Sequence, residues 1–293
     1  MSSLFSKTIT LERETRIDDE AFRNLRDFIY EQSGIYIGEN RKYLLENRLA
    51  NRLRELNLKN FNEYYYFLKF DPDRKQELTK LFEVITTNET SFFRNPPQIA
   101  VFQEKVLPEI LESQRATRSV HIWSAGCSTG EEPYTLAIVC HEVLGSEIAS
   151  WNIRITANDL SDAVLHAARR GVYSEYSLRT TPPQIIAKYF HSEGGGRLRI
   201  AEEVQRLVHF GQINLSDRLQ VRRVERSHVI FCRNVIIYFD DDMKRRVLAG
   251  FYDNLLPGGY LFLGHSESVH NLSRAFRPVQ HPSCIIYQKE RTP

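Results

Sequence analysis

Three short stretches of this 293-residue chain hold residue types able to do chemistry. The first is Ser124-Ala125-Gly126-Cys127-Ser128-Thr129-Gly130-Glu131-Glu132-Pro133. Glycine and small residues let a backbone approach a ligand closely. A strand-to-helix turn also needs glycine for its own geometry, so Gly126 and Gly130 leave both readings open. Neither the Gly-Lys-Ser/Thr of a phosphate loop nor a GxGxxG fingerprint is written here. Glu131 and Glu132 complement the positive end of a helix and would repel a phosphate, so a neutral or cationic nucleoside suits the loop better. The second stretch ends in Asp159, an acidic residue placed either to hold ribose hydroxyls or to cap a helix starting near Ser161. Gly126 and Asp159 lie 33 residues apart. The compact dinucleotide fingerprint uses about 20, which counts against NAD. The third stretch is Phe231 to Phe239, where an apolar run meets Arg233-Asn234 and then Tyr238. A polar pair at a strand's carboxyl end faces a cleft, unless it is a satisfied turn pair beside a core tyrosine.

The elements that must position these residues follow from periodicity. Short β-type runs at Val120–Ala125, Ile153–Ala157, Val229–Cys232 and Tyr260–Gly264 alternate with helical patterns at 132–144, 161–170 and 240–255. That alternation predicts a parallel α/β sheet, whose ligands bind beyond the carboxyl ends of the strands. Ser283–Gln288 reads as a last edge strand. Between 174 and 212 the alternation breaks. Arg197–Ile200 and Leu207–Phe210 read there as strands of a small antiparallel insertion.

Ahead of the sheet, residues 17–94 read as all-helical. Apolar stripes run through Phe22–Ile29, Leu45–Leu56, Tyr64–Phe70 and Leu78–Ile85, broken by Ser33-Gly34 and Asp71-Pro72-Asp73. Residues 1–16 form a polar tail, 95–115 a linker helix after Asn95-Pro96-Pro97, and 116–293 the sheet domain.

Composition narrows the function classes. With 39 Lys+Arg against 37 Asp+Glu, the net charge is +2, which disfavours a general nucleic-acid binder. Cys127, Cys140, Cys232 and Cys284 form no CxxC pair, so reduced thiols are expected rather than a zinc ribbon or a disulfide framework. No secretion signal is visible in Met1–Arg16. No apolar run reaches the roughly 18–20 residues of a membrane span, so a cytoplasmic protein without membrane insertion is expected. The three Asn-x-Ser/Thr triplets, at Asn88, Asn214 and Asn271, are then chance matches to the glycosylation pattern.

Taken together, Thr87-Asn88-Glu89-Thr90-Ser91-Phe92-Phe93-Arg94, Ser124–Tyr134, Phe231–Phe239 and Leu263-Gly264-His265-Ser266-Glu267-Ser268 resemble the chemotaxis receptor methyltransferases, the CheR family. The resemblance covers residues 17–289. It implies an N-terminal all-α domain and a Rossmann-like class I methyltransferase domain with a small antiparallel β insertion. It also implies transfer of the S-adenosylmethionine methyl group to receptor glutamates, giving methyl esters for sensory adaptation. Carried over by position, Asn88, Thr90 and Arg94 would reach the cofactor from the segment after the helical domain, which would then close over the cleft. Gly126 with Glu131 and Glu132 would line the methionine end, Glu132 being the preferred direct contact. Asp159 would hold the ribose, and Asn214-Leu215 would flank the adenine. Arg233-Asn234 would lie near the sulfonium, and Tyr238 where the incoming glutamate meets the methyl group. Tyr238 with Arg94 or Arg233 would orient the carboxylate, and no metal is needed.

Arg41, Arg48 and Arg52 lie within about 40° on a helical wheel. Residues 41–59 carry six basic and two acidic residues. An ordinary solvated face accounts for that pattern; with the resemblance, it reads as a docking face for glutamate-rich receptor helices. Some family members hold a C-terminal receptor pentapeptide on the β insertion. Here the turn Ser192-Glu193-Gly194-Gly195-Gly196-Arg197 is shorter than theirs, so recognition without that tether is expected, by a monomer. The alternatives are a related methyltransferase of another pathway, acting on a small molecule or RNA, and a non-catalytic cofactor sensor.

Overall fold

A computed structural model describes residues 16–86 and 89–291. The chain divides into two compact units, Met1–Phe28 with Ile37–Ile85, and Ile29–Tyr36 with Thr86–Pro293.

The first unit is helical. It takes in most of α1 (Asp19–Ser33) and all of α2 (Lys42–Glu55), α3 (Phe61–Phe70) and α4 (Arg74–Ile85). The predicted stripes supply its core, with Phe22, Leu25, Leu45, Leu49, Leu53, Phe61, Tyr64, Leu81 and Ile85 buried. Asn60 caps α3 by accepting from the Glu63 N–H at 2.9 Å, and Glu63 returns a carboxylate to the Lys59 N–H at 2.8 Å. One polar cluster sits inside. Glu77 is 4% exposed, and it accepts from the Tyr64 hydroxyl at 2.7 Å and from Arg52 Nε at 2.9 Å.

That cluster corrects part of the docking reading. The Arg52 guanidinium is committed to Glu77 and Glu55, and only 12% of its side chain is exposed. Arg48 donates to the Ile85 carbonyl. Arg41 belongs to a single 3-10 turn, Glu39–Arg41, ahead of α2, and is exposed. The wheel placed all three on one face, but the partners that turn Arg48 and Arg52 inward come from α4, which packs on α2.

The second unit opens on α5 (Pro96–Val101), a π turn (Phe102–Val106) and α6 (Leu107–Ser113), so the proposed linker helix belongs to this unit. The residues Glu89–Arg94 also fall here rather than with the helices before them. Its elements continue as β1 (Ser119–Ala125), α7 (Glu131–Leu144), β2 (Asn152–Asp159), α8 (Asp162–Arg170), β3 (Val172–Ser174), α9 (Pro183–Tyr189), β4 (Phe190–Gly194), β5 (Arg197–Ile200), α10 (Glu202–Gln205), β6 (Val208–Gln212), α11 (Arg218–Arg222), β7 (Ser227–Cys232), α12 (Asp241–Asn254), β8 (Leu255–Leu263), β9 (Phe276–His281) and β10 (Cys284–Lys289). The main sheet has the order β6-β2-β1-β7-β8-β10-β9. Its first five strands run parallel, and β10 and β9 antiparallel. Burial of β1, β7 and β8 on both faces explains their near-continuous apolar runs.

Three sequence readings are revised. Val208–Gln212 is not part of the insertion; it pairs parallel with β2 at the edge of the main sheet. As an edge strand it is half-exposed, and that mimics an amphipathic antiparallel strand. The insertion is instead the three-stranded sheet β3-β5-β4, of which the sequence announced only β5. Ser283–Gln288 corresponds to β10, which is interior, and β9 forms the edge.

Candidate functional site

A cavity of about 210 Å³ opens at the carboxyl ends of β1, β2, β7 and β6, within the second unit. Its wall includes Thr90, Arg94, Gly126, Glu132, Asp159, Asn214, Leu215, Arg233, Asn234 and Tyr238. Asn88 lies outside the described residues. Glu131 is the exception among the described candidates. Its carboxylate accepts from the Thr129 hydroxyl at 2.6 Å, it is buried, and it does not line the cavity. Adjacent residues at a helix start point about 100° apart, and only Glu132 takes the cavity direction.

The β1 loop is shaped by Gly126. Its φ is +84°, and a Cβ there would lie 2.3 Å from the Val235 side chain. Its N–H and that of Cys127 both reach the Asn158 carbonyl, at 2.8 and 2.9 Å. This lashes the β1 and β2 ends together. Asn158 extends the lashing, accepting from Trp123 Nε1 at 3.0 Å and donating to the Gly211 carbonyl at 2.7 Å.

Asp159 follows at the end of β2. Burial pushes its carboxyl above the usual carboxylate range, while the N–H groups of Ser161 and Ser128, at 3.0 and 2.8 Å, pull the other way. Asp159 therefore braces the start of α8 and the β1 loop while also lining the cavity.

Glu132 and Arg233 form a buried ion pair on the wall, at 3.3 Å, with side chains 13% and 4% exposed. Burial raises the Glu132 carboxyl, opposed by Arg233 and by the Ser124 hydroxyl at 2.8 Å. Burial lowers the Arg233 guanidinium, opposed by Glu132. Arg233 also donates to the Arg94 carbonyl at 2.5 Å. It thus ties the residue 89–94 segment to the β7 loop. Arg94 itself donates to the Glu89 carbonyl at 2.9 Å.

The segment 89–94 is fixed from its other side as well. The Phe92 N–H reaches the Ser177 carbonyl at 2.9 Å, the Thr180 hydroxyl the Phe92 carbonyl at 2.5 Å, and the Phe93 N–H the Thr135 hydroxyl at 3.0 Å.

Tyr238 ends a 3-10 turn, Ile236–Tyr238, and its carbonyl accepts the Tyr36 N–H at 2.8 Å. Cys127 also lines the cavity, with its thiol pushed well up by burial, so it stays protonated and is no nucleophile.

Sequence reasoning missed Ser33 and Ile35, which line the wall together with Asn158, Ile213 and Val235. Ser33 and Ile35 are held by Asn214 Nδ2 donating to the Gln32 carbonyl at 2.7 Å. Nothing local marks them, because their partners lie some 180 residues away along the chain.

The donor set suits a nucleoside bearing positive charge. Three carboxylate residues line the cavity: Glu89, which is paired with Arg179, Glu132, balanced by Arg233, and Asp159, held by backbone N–H groups. No lysine lines it. Among the described residues, no helix is long and apolar enough to cross a membrane.

Comparison with known proteins divides the chain close to residue 86, where the second unit resumes, with Ile29–Tyr36 inside the first match. Residues 20–86 match the family model described as "CheR methyltransferase, all-alpha domain", and residues 88–285 match "CheR methyltransferase, SAM binding domain". Chemotaxis protein methyltransferase 2 of Vibrio cholerae is 35% identical over 276 residues, covering 94% of this chain and 95% of that one. Chemotaxis protein methyltransferase 1 of Pseudomonas aeruginosa is 33% identical, covering 91% of this chain and 97% of that one. The chemotaxis protein methyltransferase of Borreliella burgdorferi is 34% identical, covering 86% and 88%.

Proposed function

The chain belongs to the CheR methyltransferase family, carrying both its all-alpha and its SAM binding domain, and from that premise we propose that it methylates glutamate side chains of chemoreceptors. A methyltransferase dependent on S-adenosylmethionine is the coarser statement, and it follows from the family itself. The observation that carries the finer one is the meeting of Asp159, Glu132, Arg94 and Tyr238 on one cavity wall. A group for the cofactor's sugar, a carboxylate for its charge, and an acceptor-orienting pair stand together there.

S-adenosylmethionine, when bound, supplies an electrophilic methyl group on a positively charged sulfur. Asp159 would take the ribose hydroxyls, Asn214 and Leu215 would flank the adenine, and Thr90 would reach the cofactor, a role that the family resemblance also gives to Asn88. Gly126, Glu132 and Asn234 would line the charged end. Arg233 is committed to Glu132 and to the Arg94 carbonyl, so orienting the acceptor falls to Arg94 and Tyr238. A glutamate carboxylate is ionised at neutral pH. The protein then moves no proton, and its work is placement of the attacking oxygen in line with the methyl group. An overly tight Arg94 grip would stabilise the ground state, so orientation is what these residues must supply.

Docking of the receptor's acidic helices is assigned to the helical unit, with Arg41 the exposed member of the three arginines and no pentapeptide tether. The test is transfer of labelled methyl from S-adenosylmethionine to a cytoplasmic receptor fragment, expected as a base-labile ester. Base-stable label, label on RNA, or cofactor binding without transfer overturns the proposal. Tyr238→Phe should lower kcat by roughly tenfold or more and leave S-adenosylhomocysteine affinity within about twofold. Unchanged turnover removes Tyr238 from the reaction.

A further inference from the structure

One sequence motif still has no role: Gly264-His265-Ser266-Glu267, at the end of β8. Its acid is not on the cavity wall, yet it holds the loop that is. Glu267 Oε2 accepts the Gly264 N–H at 2.6 Å and the Asn234 N–H at 2.8 Å. Glu267 Oε1 accepts the Ile237 N–H at 3.1 Å. One carboxylate thus gathers three backbone donors from the loops that follow β7 and β8. Hydrogen bonds to an ionised acceptor are roughly twice as strong as neutral ones.

The loop needs such holding. Asn234 has φ +61°, in the left-handed region, where conformations persist only when the surroundings over-determine them. The approach is also close. A Cβ on Gly264 would lie 2.5 Å from Glu267 Oε2 and 2.8 Å from the Asn234 nitrogen. Glycine at 264 and a carboxylate three residues on are therefore two halves of one device.

We propose that Glu267 is the positioning residue for Tyr238. Its two oxygens grip the chain at Asn234 and at Ile237, bracketing the turn whose last residue is Tyr238. The tyrosine is thereby fixed against the acceptor without Glu267 touching substrate. The inference rests on Tyr238 acting in transfer, and the experiment separates the two failures.

The isosteric Glu267→Gln presents one acceptor oxygen instead of two, so at least one of the three N–H groups loses its partner. Measured on the full chain with a receptor fragment, kcat should fall roughly 10- to 100-fold. The dissociation constant for S-adenosylhomocysteine should change less than about threefold. The decisive arm is the Tyr238→Phe background, where adding Glu267→Gln should cost less than about threefold more, because residues that act through one another are not additive. Should Glu267→Gln fail to fold, Glu267→Asp carries the same test. It keeps the charge and shortens the reach, so a partial loss of kcat with the same dependence on Tyr238 is expected. Unchanged turnover in Glu267→Gln, or an equal loss with and without the Tyr238 hydroxyl, overturns the positioning role. A full rate in Tyr238→Phe alone overturns instead the reading on which it rests.

Discussion

Asp159 and Glu132 are carboxylates largely withdrawn from solvent, whose pKa values rise because water is stripped from them. The sign of the consequence follows. Each binds its proton more tightly in the folded chain than in the unfolded one. Their contribution to stability is therefore largest at low pH. It falls as pH rises from the ordinary carboxylate value, about 4, through the raised folded values. Cofactor affinity runs the other way, since only an ionised Asp159 offers its full acceptor capacity to a ribose. Affinity for S-adenosylhomocysteine should accordingly climb as pH rises above the ordinary carboxylate range, and Asp159→Asn should flatten the climb and weaken binding at neutral pH. Calorimetry across that rise in pH checks it, and a pH-independent wild-type affinity counts against Asp159 as the ribose ligand. At this scale the sequence was legible where a topological rule spoke, as for Asp159 at a strand's carboxyl end. It preferred Glu132 to Glu131 only through the family resemblance, because their directions differ only by the helix rotation. It misread Arg52, whose partner Glu77 lies 25 residues away.

At the level of elements, β1, β7 and β8 were readable because burial on both faces writes near-continuous apolar runs, and β2 through its alternation of buried and exposed residues. The edge strand β6 was assigned to the wrong sheet, because an alternating pattern reports exposure and not the identity of the neighbour. The π turn inside 96–113 left no trace in composition. What joins the elements at the site is the Gly126 turn, where a left-handed φ and the Val235 side chain both exclude a Cβ. Gly126→Ala should therefore destabilise the chain by about 1–3 kcal/mol and weaken S-adenosylhomocysteine binding, read by urea unfolding and calorimetry. Val235→Ala in the same chain should restore room but not φ, so part of the stability loss must remain. A double variant as stable as wild type means that steric contact alone explains the glycine.

For the molecule as a whole, near-zero net charge ruled out a general polyanion binder and left room for local surfaces. Two units with separate cores make their tasks separable. The helical unit's ordering rests on the Glu77 cluster, in which breaking a buried pair by removing one charge costs about 3–5 kcal/mol. Glu77→Gln should loosen residues 37–85 in hydrogen exchange and reduce methylation of a receptor fragment, while S-adenosylhomocysteine affinity stays within about twofold of wild type. Equal loss of affinity would mean that the units do not divide the labour. Arg41→Glu probes docking itself, since Arg41 is exposed and Arg52 serves the fold. It should raise KM for an acidic receptor fragment several-fold and leave the melting temperature unchanged. The effect should be larger at low ionic strength, because exposed charges act within a Debye length of about 8–10 Å at 0.1–0.15 M salt. A KM that is unaltered at every salt concentration moves the docking face away from α2 and its leading turn. A KM shift that salt does not screen points to a lost contact of shape rather than charge at Arg41.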